Sequence, residues 1–218
     1  MTNSLSYQRI YDSALMRFGG DKQRLEASLP KPLPFEQLLD TPDSVFLSIM
    51  TRRVFQAGMK HSVINDRWPY FEQVFDGFDV SHCAMLSPDD IERFMQDSGL
   101  IRHRRKLASI PQNATMMLAW RKDYDTAAQF LTSYPKHRVV ELWIYLKRHG
   151  ASLGGNSGAR FLRMAGIDTF LLADDNIAAL ELHGLVTKAP SSQADWRRVQ
   201  KLFSDWASES GRSLAEVS

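Results

Sequence analysis

The sequence predicts an all-α protein. Three observations carry that expectation: apolar residues recur at helical spacing in segment after segment, strand-type alternation is weak, and helix-starting and helix-stopping residues bracket the periodic runs. With 218 residues, 44% hydrophobic and 24% charged, the chain can bury a sizeable core without staples and reads as one soluble globular unit.

Taken in order, Leu29-Pro30-Lys31-Pro32-Leu33-Pro34 separates residues 1 to 28 from the body, so residues 1 to 34 are expected to form an arm and linker, flexible or separately docked. Ser48 to Gln56 reads as helix. Ser87-Pro88-Asp89-Asp90 has a capping serine, a proline at the first helical position and carboxylates at the positive dipole end, leading into Ile91, Phe94 and Met95. Gly99 is expected to stop that helix. From His103 to about Trp120 a further helix turns Leu107, Ile110, Ala114 and Met117 inward, with Pro111 expected to kink it or mark its start. Val139, Val140, Leu142, Trp143 and Leu146 form another stripe, closed by Gly150 as a left-handed C-cap. The polar turn at residues 153 to 158, LGGNSG, leads into helical ARFLRMAG, and Ile177 to His183 follows as a short helix. Trp196, Val199, Leu202, Phe203 and Trp206 share one face opposite Arg197, Arg198, Lys201 and Asp205, an amphipathic helix that should pack residues 187 to 218 on a core of residues 35 to 186.

Bulk charge excludes little. A net charge of +2 does not announce a polyanion partner, so any nucleic-acid case rests on where the cations cluster. The single cysteine, Cys83, rules out an internal disulfide and reads as a small buried hydrophobe. No stretch approaches the ~20 apolar residues of a membrane span and the first residues lack a secretory pattern, so the expectation is a cytoplasmic monomer without membrane contact.

Two segments carry chemistry. Arg102, His103, Arg104, Arg105 and Lys106 form the densest cationic cluster, which suits phosphate. Gly154, Gly155, Asn156, Ser157 and Gly158 lie between two expected helices, where glycine amides and a helix N-terminus can converge on a DNA phosphate. The plain alternatives are a solvated helix face and an ordinary interhelical turn.

Residues 97 to 113, DSGLIRHRRKLASIPQN, and Phe55-Gln56-Ala57-Gly58 resemble the D-A-G-I-I-R-H-R-x-K-I-x-A-x-x-x-N-A and Q-A-G-L-S-W signatures of the 3-methyladenine DNA glycosylase I family, members of the helix-hairpin-helix superfamily. The resemblance covers roughly residues 44 to 180 and is strongest at 97 to 114. It implies a helix-hairpin-helix fold and a damaged double-stranded DNA partner from which one base is flipped into an aromatic pocket.

Counted from the Q-A-G motif, the family's stacking tryptophan falls on His61 and its base-recognising glutamate on Arg53, two departures. A guanidinium in place of that carboxylate turns attraction for a cationic methylated base into repulsion, about 4 kcal/mol each way at 4 Å and an effective dielectric near 20. The resemblance also places Tyr7, Tyr11 and Phe55 at the base pocket, while Asp174 or Asp175 falls near the superfamily's sugar-stabilising aspartate, a place that equally suits an N-cap. No lysine occurs between Arg160 and Val186, which leaves lyase chemistry without a nucleophile there. The family's zinc site needs two cysteines and two histidines, and a chain with one cysteine cannot supply it; no metal and no cofactor are expected. The expected function is base-excision repair of an alkylated purine such as 3-methyladenine. The alternatives are a DNA-binding protein that has lost the chemistry, a glycosylase for a neutral lesion, or a helical interaction scaffold.

Overall fold

The computed structural model describes residues 6 to 218, all of them helix, turn or loop. Helices run as α1 (Tyr7–Arg17), α2 (Lys22–Ser28), α3 (Phe35–Leu39), α4 (Asp43–Gln56), α5 (His61–Val74), α6 (Val80–Ala84), α7 (Pro88–Gln96), α8 (Arg104–Trp120), α9 (Ala127–Thr132), α10 (Val139–His149), α11 (Asn156–Met164), α12 (Asp174–Leu182) and α13 (Gln193–Ser210). Among the described residues, none of these helices is long and apolar enough to cross a membrane.

Helix α4 is the centre of the body. Its buried face, Phe46, Leu47, Met50, Val54 and Phe55, packs against α5, α8 and α11. Each such side chain contributes about 1.5–3 kcal/mol through burial. Trp68, Phe71, Phe75, Phe78 and Phe94 continue this core as a chain of stacked and edge-on rings 5.1–5.9 Å apart.

Local signals behave as their chemistry dictates. Ser87 caps α7 in a full capping box with Asp90, and Ser192 caps α13 with Asp195 in the same way. Helix α13 buries Val199, Phe203 and Trp206 and packs on α10 and on α1, which fixes the arm at residues 7–17 to the body. Leu33 of the proline-rich run donates its amide to the Gly166 carbonyl at 2.9 Å and covers that glycine so closely that a Cβ there would overlap its side chain.

Two glycine expectations are corrected, and one of the two alternatives for Pro111 falls away. Gly150 is extended (φ −95°, ψ 157°), and α10 closes on a Gly150 amide bonded to the Leu146 carbonyl without a left-handed residue. Helix α7 already ends at Gln96, and Gly99 serves instead as the close-approach point for the Tyr70 ring, which a Cβ would meet at 2.3 Å. Pro111 lies seven residues inside α8 and does not start it.

Candidate functional site

The turn between α10 and α11 has the left-handed residues its sharpness requires, Ser152 at φ +61° and Gly155 at φ +57°. Helix α11 starts at Asn156, and the amides of Gly154, Gly155 and Asn156 find no acceptor among the described residues. Gly158, one turn later, is buried with its Cα against Leu146 and the Leu153 carbonyl, where a Cβ would sit 3.0 Å from that oxygen. The turn therefore exposes amides on one side and packs tightly on the other.

What holds the turn is a side chain the sequence reading left without a role. Asn113 of α8 is fully buried; its Nδ2 donates to the Ala151 carbonyl at 3.2 Å and its Oδ1 accepts the Ala151 amide at 2.7 Å. This two-bond clamp ties α8 to the hairpin. A polar residue on the inward face of Leu107, Ile110, Ala114 and Met117 was the available signal.

At the N-terminus of the same helix lies the cationic cluster, with Arg104 about 13 Å along the axis from Asn113 at 1.5 Å per residue. Arg102, His103 and Arg105 are exposed and their side chains are unpaired among the described residues. Arg104 is ion-paired to Glu92 of α7. Lys106 turns inward: Nζ donates to the Phe55 and Ala57 carbonyls at 3.0 and 2.7 Å, closing the C-terminus of α4, and lies 5.9 Å from the Phe55 ring centre. Of the five side chains expected on phosphate, Arg104 and Lys106 thus spend donors on protein partners, and Lys106 keeps one N–H unused.

The segment leading into the cluster is also organised from within. Asp97 accepts the Gly99 amide and the Tyr70 hydroxyl, each at 2.8 Å, and Arg67 donates to the carbonyls of Ser98 and Leu100. Much of this motif therefore serves to shape the chain.

Of the residues placed at the base pocket, the structure gathers few. Arg53, in the last turn of α4, is half-buried, with a buried Nε that has no acceptor. Burial first, and then the charge of Arg160 on α11, hold its guanidinium below the usual arginine range; burial and Arg53 do the same to the Lys106 ammonium. No carboxylate is among the groups acting on either. Phe55 is 0% exposed, edge-on to Phe71 at 4.9 Å, so it is core and presents no face to a base. His61 is exposed at the start of α5. Tyr7 and Tyr11 lie under the Arg212 guanidinium at 5.9 and 5.5 Å, and the Tyr11 hydroxyl donates to Glu26 at 2.8 Å. Their partners belong to α2 and the C-terminal tail.

Asp174 and Asp175 open α12 as its first two residues, exposed, at the positive end of the helix dipole. Neither is the N-cap. That place is Ala173, whose amide donates to Asn176 Oδ1 at 3.2 Å. Asn156, first residue of α11, donates through Nδ2 to the Leu172 carbonyl at 2.8 Å, so the hairpin and the two carboxylates are tied two residues apart.

A family model described as methyladenine glycosylase matches residues 41–150, which is half of the chain and includes the α4 turn, the cationic cluster and Asn113. The chain belongs to the methyladenine glycosylase family. Within that family it is 34% identical over 85 residues to the DNA-3-methyladenine glycosylase of Haemophilus influenzae, and 30% identical over 83 residues to DNA-3-methyladenine glycosylase 1 of Escherichia coli. Those alignments take in 39% and 38% of this chain and span less than half the length of each relative, 46% and 44%. Among solved structures, a variant of 3-methyladenine DNA glycosylase I in complex with 3-methyladenine superposes with a TM-score of 0.54 at 20% identity, over 66% of this chain and 84% of that one. The 8-oxoguanine DNA glycosylase of Thermotoga maritima superposes with a TM-score of 0.53 at 14% identity, over 96% of this chain and 92% of that one. Both show the all-α helix-hairpin-helix glycosylase fold for this chain.

The zinc site that the family implies does not fit this methyladenine glycosylase-family chain. Cys83 is buried on α6, where burial pushes its thiol up to about 12, and no three His, Cys, Asp or Glu side chains among the described residues converge on a metal position.

Proposed function

We propose that the protein is a DNA base-excision glycosylase that grips the backbone of double-stranded DNA, swings one damaged nucleotide out, and cleaves its N-glycosidic bond. The observation that carries this reading is the Asn113 clamp, which joins the helix bearing the cations to a hairpin whose amides are free. Gly154, Gly155 and Asn156 would hold a phosphate through backbone N–H groups, and Arg102, His103 and Arg105 would extend the electrostatic contact. Asp174 or Asp175, close behind the hairpin, would stabilise the positive charge that develops on the sugar as the base departs. An alkylated purine such as 3-methyladenine is the substrate class that the relatives' names support.

The test is release of free base from duplexes bearing 3-methyladenine, 7-methylguanine, hypoxanthine or uracil, with Asp174→Asn and Asp175→Asn beside the wild type. Methyladenine release that falls at least a hundredfold in one aspartate variant supports the reading. Salt-dependent binding to an abasic-site duplex with no base released from any of the four supports a second one, a DNA-binding protein without excision chemistry. That second reading is favoured by Arg53, which stands with no carboxylate near it, and by the core position of Phe55.

A further inference from the structure

Arg53 on α4 and Arg160 on α11 stand out among the guanidinium groups of the body. Among the described residues neither donates a hydrogen bond or pairs with a carboxylate, and each is partly buried where α4 packs on α11. Lys106 of α8 adds a third cation from a third helix. Two of its three N–H donors are taken by the Phe55 and Ala57 carbonyls, which leaves one unused. Arg160 repels Arg53 and Arg53 repels Lys106, with no acid acting on either Arg53 or Lys106; such a grouping opposes folding, because desolvation and like-charge repulsion act in the same direction. Such an arrangement persists at a site whose compensating charge comes from a ligand.

Guanidinium forks match tetrahedral oxyanions in pairs of parallel hydrogen bonds. Arg160 lies four residues after Asn156 on α11, on the same face and about 6 Å along the axis from the free amides of the hairpin. Successive phosphates of one DNA strand are spaced about 3.4 Å along the duplex axis, so phosphates flanking one held at the hairpin come within reach of these side chains. We propose that Arg53, Arg160 and the unused N–H of Lys106 form a second phosphate site, which takes a phosphodiester of the strand gripped by the hairpin. The assignment rests on the DNA-binding part of the reading above and does not depend on base excision.

The experiment measures affinity for a duplex carrying an abasic-site analogue as a function of salt, for wild type, Arg53→Gln and Arg160→Gln, together with thermal unfolding of each in phosphate-free buffer and in inorganic phosphate. Loss of one phosphate contact lowers the slope of log affinity against log salt by about 0.9. The site predicts that decrease in both variants, with thermal stability in phosphate-free buffer equal to or above wild type because a repulsive charge has been removed. Slopes equal to wild type in both variants overturn the site while leaving the hairpin reading intact. A wild type without salt-dependent affinity removes the DNA reading and this ligand with it. Stabilisation by inorganic phosphate that disappears in Arg53→Gln then assigns the oxyanion site to a free phosphate compound, and its absence ends the site altogether.

Discussion

The hairpin face and the joined chain ends treat charge in opposite ways. Where α1, α2 and the C-terminal tail meet, Arg212 donates to both Glu26 oxygens at 2.9 and 2.6 Å across 186 residues of sequence, Tyr11 donates to the same carboxylate, and Glu216 stands 3.5 Å from Arg212. The central charges there, Arg212 and Glu26, are spent on holding distant segments together. Around the hairpin, Arg53, Arg160, Arg102 and Arg105 have no such partners among the described residues, and three exposed backbone amides find no acceptor there. Satisfied polar groups mark where this fold is fastened, and unsatisfied ones mark where it awaits a ligand.

The sharpest way to break that contrast is at Asn113, which is a fastening on the hairpin side. Asn113→Ala leaves the Ala151 amide and carbonyl without partners in a buried setting, and should lower stability by about 2–4 kcal/mol. Chemical denaturation gives that value, and affinity for an abasic-site duplex should fall with it because the hairpin loses its anchor. Asn113→Asp can still accept the Ala151 amide but turns the other bond into repulsion between oxygens, so it should share most of the loss. A fully stable Asn113→Ala that binds DNA as wild type does would show that α8 and the hairpin are held by apolar packing alone.

How much of this was legible in the sequence follows from how local each signal is. The Ser87 capping box, the α13 stripe and the existence of the hairpin could be read directly, because each is decided by residues within a few positions of one another. Gly99 and Gly150 were misjudged because the roles of glycine there are set through space, by the Tyr70 ring and by the extended path that leads into Ala151. The family resemblance located the α4 turn and the cationic run. It could not say that Lys106 faces inward to two carbonyls or that Phe55 is sealed in the core, since both depend on how α4 and α8 pack. Nor could it name the partner of Tyr7 and Tyr11: Arg212 lies some two hundred residues further along the chain, where no periodicity could point to it.

On the fastened side, pH supplies the test. The Arg212 guanidinium and the Tyr11 hydroxyl hold the Glu26 carboxyl at about 2, against an ordinary 4.5. A carboxyl whose value is lowered by folding binds protons more readily in the unfolded chain, so its stabilising effect is complete above about 4.5 and drains away as pH falls toward 2. Melting temperature should therefore decline across that window, and Glu26→Gln should start lower at neutral pH and decline less steeply. Glu26 is partly exposed, so added salt should weaken the effect. Parallel curves for wild type and Glu26→Gln would mean that the ends are joined by α13 packing on α1 and not by this charge network.

The smallest expected effect separates two neighbours on one helix. Arg104 is already paired with Glu92, whereas Arg105, next in sequence, has no partner. If free charge is what marks the DNA-facing side, Arg105→Gln should lower the salt slope of DNA binding by about 0.9, and Arg104→Gln should change it by much less. The control is Glu92→Gln, which frees Arg104; with that acid removed, affinity should rise severalfold at low salt and the slope should steepen. Equal slopes for Arg104→Gln and Arg105→Gln would mean that the ion pair with Glu92 does not decide which cations meet phosphate. The distinction between fastened and waiting charges would then hold for the half-buried groups around Arg53 and fail on the exposed surface, where ion pairs are weak enough for a phosphate to displace a carboxylate.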